Sequence, residues 1–310
     1  MASAGALVQL GLVIAAFFVW WLGERLFAGL GRIWVRAGSR CRRDFPVRVV
    51  AATALVTSFL AAFLGLASMA VWSFAGRWRF PDTLPFRLST DTWAANTDRL
   101  VNATFNTVTI GVTAALVGLL LTVGCLENES LFGRRRTNRS FFFLYLPLLV
   151  PQIAFLFGTQ VLLIISNLDG TWIAVVWAHL VFVLPYVFLS LADPYRAWDV
   201  RYARAARCLG ASRLRVFYRI KLPMLLRPVL VATAVGFTVS MGQYLPTLSA
   251  GAGRIDTLTT EAVSLASGAD LRAIGAYSML QMILPFIAFC LAAAAPAWLF
   301  RNRLELRVTA

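Results

Sequence analysis

Seven long stretches of apolar residues alternate with shorter polar connections along this 310-residue chain. Each stretch is close to the roughly 20 residues that a helix needs to cross the hydrocarbon core of a bilayer. They are residues 6–22, 49–72, 100–125, 141–166, 171–192, 225–245 and 273–300. None of them alternates apolar and polar residues with the period of two that barrel strands show. The pattern predicts an all-α, polytopic membrane protein.

The connections between the stretches differ in charge, and this difference predicts an orientation. Of the 29 Lys and Arg residues, 23 fall in residues 25–48, 127–139, 193–227 and the tail after residue 300. Basic residues gather on the cytoplasmic side of a membrane protein. With seven spans, we therefore expect the N-terminus outside and the C-terminus in the cytoplasm of a bacterial inner (plasma) membrane.

Composition supports a lipid environment and argues against nucleic acid. Charged residues make up 14% of the chain, against about 25% in an ordinary soluble domain. The formal net charge is +15, but the basic residues lie between apolar runs and do not interleave with aromatic residues on a soluble domain. The lipid bilayer is thus the expected partner. Cys41, Cys125, Cys208 and Cys290 lack the spacing of metal ligands, and no cofactor or metal is predicted.

The first apolar stretch stands apart from the other six. It has no basic segment before it and no A-x-A cleavage site after it, so we predict a retained helix rather than a signal peptide. Residues 1–45 then form an extra N-terminal transmembrane helix with a basic cytoplasmic loop. Residues 46–310 form a six-helix core.

The connection at residues 193–223 predicts two short helices under the membrane. Asp199 and Ser212 can each cap a helix, and Gly210 is placed to end the first helix in a left-handed conformation. Four residues fall at i, i+3, i+4 and i+7 and give the first helix one apolar face: Tyr202, Ala205, Ala206 and Leu209. By periodicity alone, this is an amphipathic helix on the membrane surface.

Residues 204–223 resemble the cytoplasmic signature of ABC importer permeases. That signature is Glu-Ala-Ala, three residues, Gly, nine residues, then Ile-x-Leu-Pro. This chain has the same spacing in Ala205-Ala206, Gly210 and Ile220-Lys221-Leu222-Pro223, and Arg204 stands where the family usually has Glu. The segment also lies between the fourth and fifth spans of the six-helix core, as it does in the family.

The resemblance implies a coupling helix that sits in a groove of a cytoplasmic ATPase and moves when two ATPases close around ATP. The residues expected to serve this coupling are Ala205, Ala206, Leu209, Gly210, Phe217, Ile220, Leu222 and Pro223. The implied partners are an ABC ATPase dimer, a second permease subunit (identical or related) and an extracytoplasmic substrate-binding protein. The chain has no G-x-x-x-x-G-K-[ST] run, so we expect no enzyme activity here and ATP hydrolysis by a separate subunit.

Polar residues inside the spans are candidates for the translocation path, because polar groups in membranes usually face the bundle interior. Hydrogen bonding between helices is the alternative for each of them. The candidates are Asn106, Gln152, Ser240, Gln243 and Tyr244. His179 is interpreted as a packing residue. Gly242 and Pro246 bracket Gln243 and Tyr244, which fits a broken helix and an ordinary helix end equally well.

Two other classes of membrane protein fit this sequence less well than an importer does. An ion-gradient-driven secondary transporter usually has an internal repeat and intramembrane ionisable groups, and neither is evident. A membrane enzyme needs a catalytic constellation, which one histidine does not supply.

The wider sequence resembles the permeases of thiamine, iron(III), polyamine and sulfate importers. This resemblance does not identify the substrate of the present chain. In some relatives two permease halves are fused, and the first span resembles the last helix of an upstream half.

Overall fold

The computed structural model describes residues 2–36, 38, 45–76, 78, 82, 85–133, 138–268 and 270–301. Within these ranges the regular elements are helices, apart from one isolated bridge between Ala75 and Leu88. This confirms the predicted all-α class. Three features of the sequence lie outside the described residues: Cys41, the arginines at 134–136 and the tail from residue 302.

The helices of the described residues are numbered in chain order. They are α1 (Ala2–Arg36), α2 (Phe45–Phe74), α3 (Asp91–Ala95), α4 (Thr97–Phe132), α5 (Asn138–Leu149), α6 (Gln152–Ile165), α7 (Trp172–Ala197), α8 (Arg201–Cys208), α9 (Arg213–Val216), α10 (Leu222–Met224), α11 (Leu226–Met241), α12 (Tyr244–Ala250), α13 (Leu258–Ser267) and α14 (Leu271–Leu299). A π-helical segment, Phe217–Lys221, joins α9 to α10.

Five of these helices are long and apolar enough to cross a membrane: α1, α2, α4, α7 and α14. A sixth candidate is a bent pair, in which Arg213–Met224 meets α11 at 73°. The apolar run at residues 141–166 is not the single helix that the sequence predicts. It is divided into α5 and α6 at Val150-Pro151, because proline has no N–H to donate and disfavours helical geometry in the residue before it.

The core of the bundle forms where α4, α7 and α11 pack together through small residues. A Cβ atom at Gly236 of α11 would lie 2.6 Å from Val187 Cγ2 of α7, and one at Gly118 of α4 would lie 3.5 Å from Val183 Cγ1. Glycines at these places let the helix backbones approach closely, as is typical of helices packed in a bilayer. Buried side chains of all three helices form the central apolar cluster.

Helices α14 and α2 extend this core on one side. A Cβ at Gly275 of α14 would lie 2.7 Å from the backbone nitrogen of Ser73 at the end of α2. The side chains described along α1 are mostly exposed, and α1 packs against α6. In a chain with these apolar helices, such exposed faces suit contact with lipid.

Candidate coupling site

Helix α8 ends at its C-terminus as the local sequence predicts, whereas at its N-terminus Val200, and not Asp199, is the N-cap residue. Asp199 Oδ1 accepts a hydrogen bond from the backbone N–H of Arg201 at 2.8 Å. At the other end, Gly210 has a φ of +82°. Its N–H donates to Arg207 O at 3.0 Å, and the N–H of Ala211 donates to Ala206 O at 3.0 Å. This pair of bonds is a Schellman cap, and its left-handed position favours glycine.

The second helix starts two residues later and leads back to the membrane. Ser212 Oγ accepts from the N–H of Arg215 at 3.3 Å and caps α9. The chain then passes through the π-helical segment and α10 to the 73° bend before α11. Residues 199–223, named here the coupling segment, thus connect α7 to α11.

The predicted coupling residues divide into an exposed group and a partly packed group. Leu209 is 89% exposed, although it is a large apolar side chain. Ala205 and Gly210 are also exposed, and Ala206 is half-buried. The half-buried remainder lies where the segment turns into α11: Phe217, Ile220, Leu222 and Pro223. Three exposed arginines lie within α8 itself: Arg201, Arg204 and Arg207.

The structure also reveals a charged cluster that the sequence does not predict. Lys221, the variable residue of Ile-x-Leu-Pro, lies with its Nζ 2.6 Å from Glu127 Oε2 at the end of α4. The hydroxyl of Tyr195 on α7 donates to the same oxygen. Beside them, Arg196 Nε lies 2.9 Å from Glu129 Oε1. One feature of the sequence could have drawn attention to this cluster: Lys221 is the only lysine of the chain.

Two of the five predicted translocation residues lie together, around His179. The Nδ1 of His179 lies 2.7 Å from Ser240 Oγ, and its Nε2 lies 2.8 Å from Thr247 Oγ1. Thr247 Oγ1 donates to Gln243 O, so it accepts from Nε2–H, and Ser240 therefore donates to Nδ1. Gln243 Nε2 donates to His179 O at 3.3 Å. These hydrogen bonds join α7 to α11 and α12, and the interpretation of His179 as a packing residue stays a prediction.

The helix break is confirmed at Gly242-Gln243, between α11 and α12. Gln243 has an extended backbone with φ −86° and ψ 96°. Its side chain is buried, and its Oε1 has no hydrogen-bond partner within the described part of the chain. The ordinary helix end, which was the other possibility, is therefore excluded.

The other three predicted translocation residues lie apart from this cluster. Asn106 Nδ2 donates to Asp256 O at 2.9 Å. Gln152 is exposed at the first position of α6, and Tyr244 is half-buried at the start of α12. The structure does not bring the five together around one cavity, and their role as a path stays a prediction.

Helix α13, between α12 and α14, is fixed to the bundle by threonines. The N–H of Leu258 donates to Thr107 Oγ1 of α4 at 2.9 Å, and Gln281 Nε2 of α14 donates to Thr259 Oγ1 at 3.0 Å. Burial raises the pKa of the Glu261 carboxyl on this helix; the charge of Asp256 raises it further, and that of Arg99 opposes the shift. Helix α13 is thus held to both α4 and α14.

Comparison with known proteins gives one family. The model of the family described as "Binding-protein-dependent transport system inner membrane component" matches residues 114–305, which include the coupling segment. The inner membrane ABC transporter permease protein YnjC of Escherichia coli (strain K12) is 41% identical over 205 residues, which cover 66% of this chain and 39% of YnjC.

Two further relatives come from the same organism. The spermidine/putrescine transport system permease protein PotC is 28% identical over 149 residues, covering 47% of this chain and 55% of PotC. The putrescine transport system permease protein PotI is 28% identical over 153 residues, covering 46% of this chain and 54% of PotI. The matches thus span between 39% and 55% of the length of these three relatives. The match over residues 114–305, with the apolar helices and the coupling segment, shows that this chain belongs to the binding-protein-dependent transport system inner membrane components, the ABC permeases that its signature resembles.

Proposed function

We propose that this chain is the membrane-spanning permease subunit of an ATP-driven type I ABC importer. It forms half of a translocation path and transmits the closure of an ATPase dimer to the spans. The observation that carries this proposal is the exposed coupling segment, whose spacing resembles the family signature and whose helix–Gly–helix geometry leaves the α8 face open.

The exposed face of α8 has the properties of a docking surface. Leu209 protrudes from it at 89% exposure, and an apolar side chain of this size contributes binding energy when a partner buries it. Ala205 and Gly210 leave room around it for close approach of a partner backbone. The partner in this proposal is the groove of the cytoplasmic ATPase.

The same proposal assigns an orientation and the remaining partners. The coupling segment and the C-terminus lie in the cytoplasm, and the N-terminus lies outside. A second permease subunit, identical or related, completes the path, and an extracytoplasmic binding protein delivers the substrate to the side of α13. The path itself is proposed to include Asn106, Gln152, Ser240, Gln243 and Tyr244, with Gln243 best supported by its unpaired buried oxygen.

The proposal is tested by placing a charge at the exposed apolar position. Leu209→Glu should abolish co-purification of the cognate ATPase and, with it, ATP-dependent uptake into proteoliposomes of the solute held by the cognate binding protein. The matched control is Leu131→Glu at the cytoplasmic end of α4, where the leucine is 48% exposed but outside the coupling segment. This control should assemble and transport normally.

Two results would contradict the proposal. One is retention of both ATPase binding and uptake by Leu209→Glu. The other is uptake by the unaltered chain without any ATPase, driven by an ion gradient alone, which would favour the secondary transporter.

A further inference from the structure

The only lysine of this chain is buried in a place where charge is unfavourable without partners. The other 28 basic residues are arginines, whereas the Lys221 side chain is 4% exposed. Its ammonium nitrogen lies 2.6 Å from Glu127 Oε2 and 3.4 Å from Ser130 Oγ, both at the cytoplasmic end of α4. A buried cation needs such partners to offset its lost hydration.

Aromatic rings at the end of α7 enclose the other side of the ammonium group. Lys221 Nζ lies 4.1 Å from the ring centroid of Tyr195 and 5.2 Å from that of Trp198, within the range of cation–π attraction. The Tyr195 hydroxyl donates to the Glu127 oxygen that also accepts from Lys221. One carboxylate oxygen therefore binds two other elements, α7 and the π-helical segment.

A second ion pair joins α7 to α4 without involving the coupling segment. Arg196 meets Glu129 through two hydrogen bonds, Nε to Oε1 at 2.9 Å and Nη2 to Oε2 at 3.1 Å. This forked geometry is the strong form of an arginine–carboxylate contact. The ends of α4 and α7 are thus held to each other without Lys221. Lys221 attaches the π-helical segment to them as the third element.

The position of Lys221 along the chain determines which part of the coupling segment is attached to α4 and α7. Lys221 lies before the 73° bend that separates Arg213–Met224 from α11. It closes the π-helical segment Phe217–Lys221, and π-helical turns are rare and recur at functional sites. The ion pair therefore holds the coupling segment itself, and not only α11, to the two neighbouring helices.

We propose that Lys221, Glu127, Tyr195 and Trp198 form a clamp that makes the coupling segment and the cytoplasmic ends of α4 and α7 move as one body. Movement of the coupling segment is then transmitted to α4 and α7 by these side-chain contacts. It is transmitted to α11 by the continuous backbone. Lys221 is a positioning residue in this scheme, which rests on the proposed function.

The clamp is tested by distance measurement in the full chain, assembled with its partners in nanodiscs. The four cysteines are replaced by serine, and nitroxide labels are attached at Leu131→Cys on α4 and Arg219→Cys in the π-helical segment, both exposed positions. With the clamp intact, the distance between the labels should be equal without nucleotide and with ATP plus vanadate. With Lys221→Met, the distance should shift between the two states and its distribution should broaden.

A second readout separates positioning from mere folding. Lys221→Met should keep the basal ATPase activity per assembled complex but lose stimulation by the loaded binding protein about five-fold or more, within the usual range of coupling between sites. The matched control is Arg272→Met, which breaks the exposed Arg272–Asp270 pair at the start of α14 and should change neither readout.

Specific results would overturn the clamp. Equal label distances in both states of Lys221→Met, or full stimulation per assembled complex, would show that the four residues only stabilise the fold. Failure of the ATPase to co-purify with the unaltered chain would instead contradict the proposed function. The two failures are therefore distinguishable.

Discussion

Arg204 is the residue at which this coupling segment departs from the family signature. It is exposed on α8 between two further exposed arginines, Arg201 and Arg207. A basic docking helix is complemented by acidic groups on its partner, and like charges brought together at an interface are costly. Arg204→Glu should therefore weaken binding of the cognate ATPase by about ten-fold or more, since 1.4 kcal/mol is a factor of ten.

This effect is measured by titrating the ATPase onto the permease in nanodiscs at low and high salt. Arg36→Glu, at the exposed C-terminal end of α1, is the control and should bind normally. An equal loss in both variants, or a loss that salt leaves unchanged, would contradict a specific charge contact at Arg204.

At the scale of single residues, the sequence predicts the features that depend on neighbouring backbone groups, such as the ends of helices. Gly210 ends α8 and Ser212 caps α9 because each acts on backbone groups within four residues of itself. Glu127 and Lys221 are 94 positions apart in the chain. Their meeting depends on how α4 packs against the coupling segment, which no periodicity encodes.

At the scale of the helices, Gly236 sets how closely α11 approaches α7. A Cβ there would meet Val187 Cγ2 at 2.6 Å and Val183 Cγ1 at 3.2 Å, so Gly236→Ala should force the two helices apart. Overpacking of this kind costs about 1–3 kcal/mol of folding free energy. The loss is measured as a lower unfolding temperature in detergent, followed by tryptophan fluorescence.

Gly124→Ala is the control on α4, because a Cβ there meets nothing within 4 Å. It should leave stability unchanged or raise it slightly, since glycine in a helix costs up to about 1 kcal/mol relative to alanine. Equal unfolding temperatures for the two variants would show that the α7–α11 contact relaxes freely.

The two interruptions of apolar helices differ in how visible they are in the sequence. The break at Gly242-Gln243 is flanked by polar and helix-disfavouring residues and is predicted as one of two possibilities. The break at Val150-Pro151 lies inside a mostly apolar run that also holds Pro147 and Gln152, and the run as a whole is apolar enough to predict one span. Hydrophobicity measures the preference for the bilayer, whereas helix continuity depends on the hydrogen-bonding groups that Pro151 removes.

At the scale of the whole molecule, the uneven distribution of arginine predicts which face is cytoplasmic. In a chain with all other cysteines replaced by serine, the exposed Cys208 of α8 should react with a membrane-impermeant maleimide only in inside-out vesicles. Phe86→Cys, at the exposed position before α3, should react only in intact cells with a permeable outer membrane. The opposite labelling of both sites would reverse the proposed orientation.

The bend before α11 has a mechanical consequence for the whole transporter. A force applied to α8 reaches α11 through a segment set at 73° to the axis of that helix. A force directed along that segment has a small component along the axis of α11 and a large component across it. It therefore exerts a torque on α11 about Leu225. Under the proposed function, we expect the stroke of the ATPase to tilt α11 instead of sliding it through the bilayer, and tilting opens one end of a helix bundle as it closes the other.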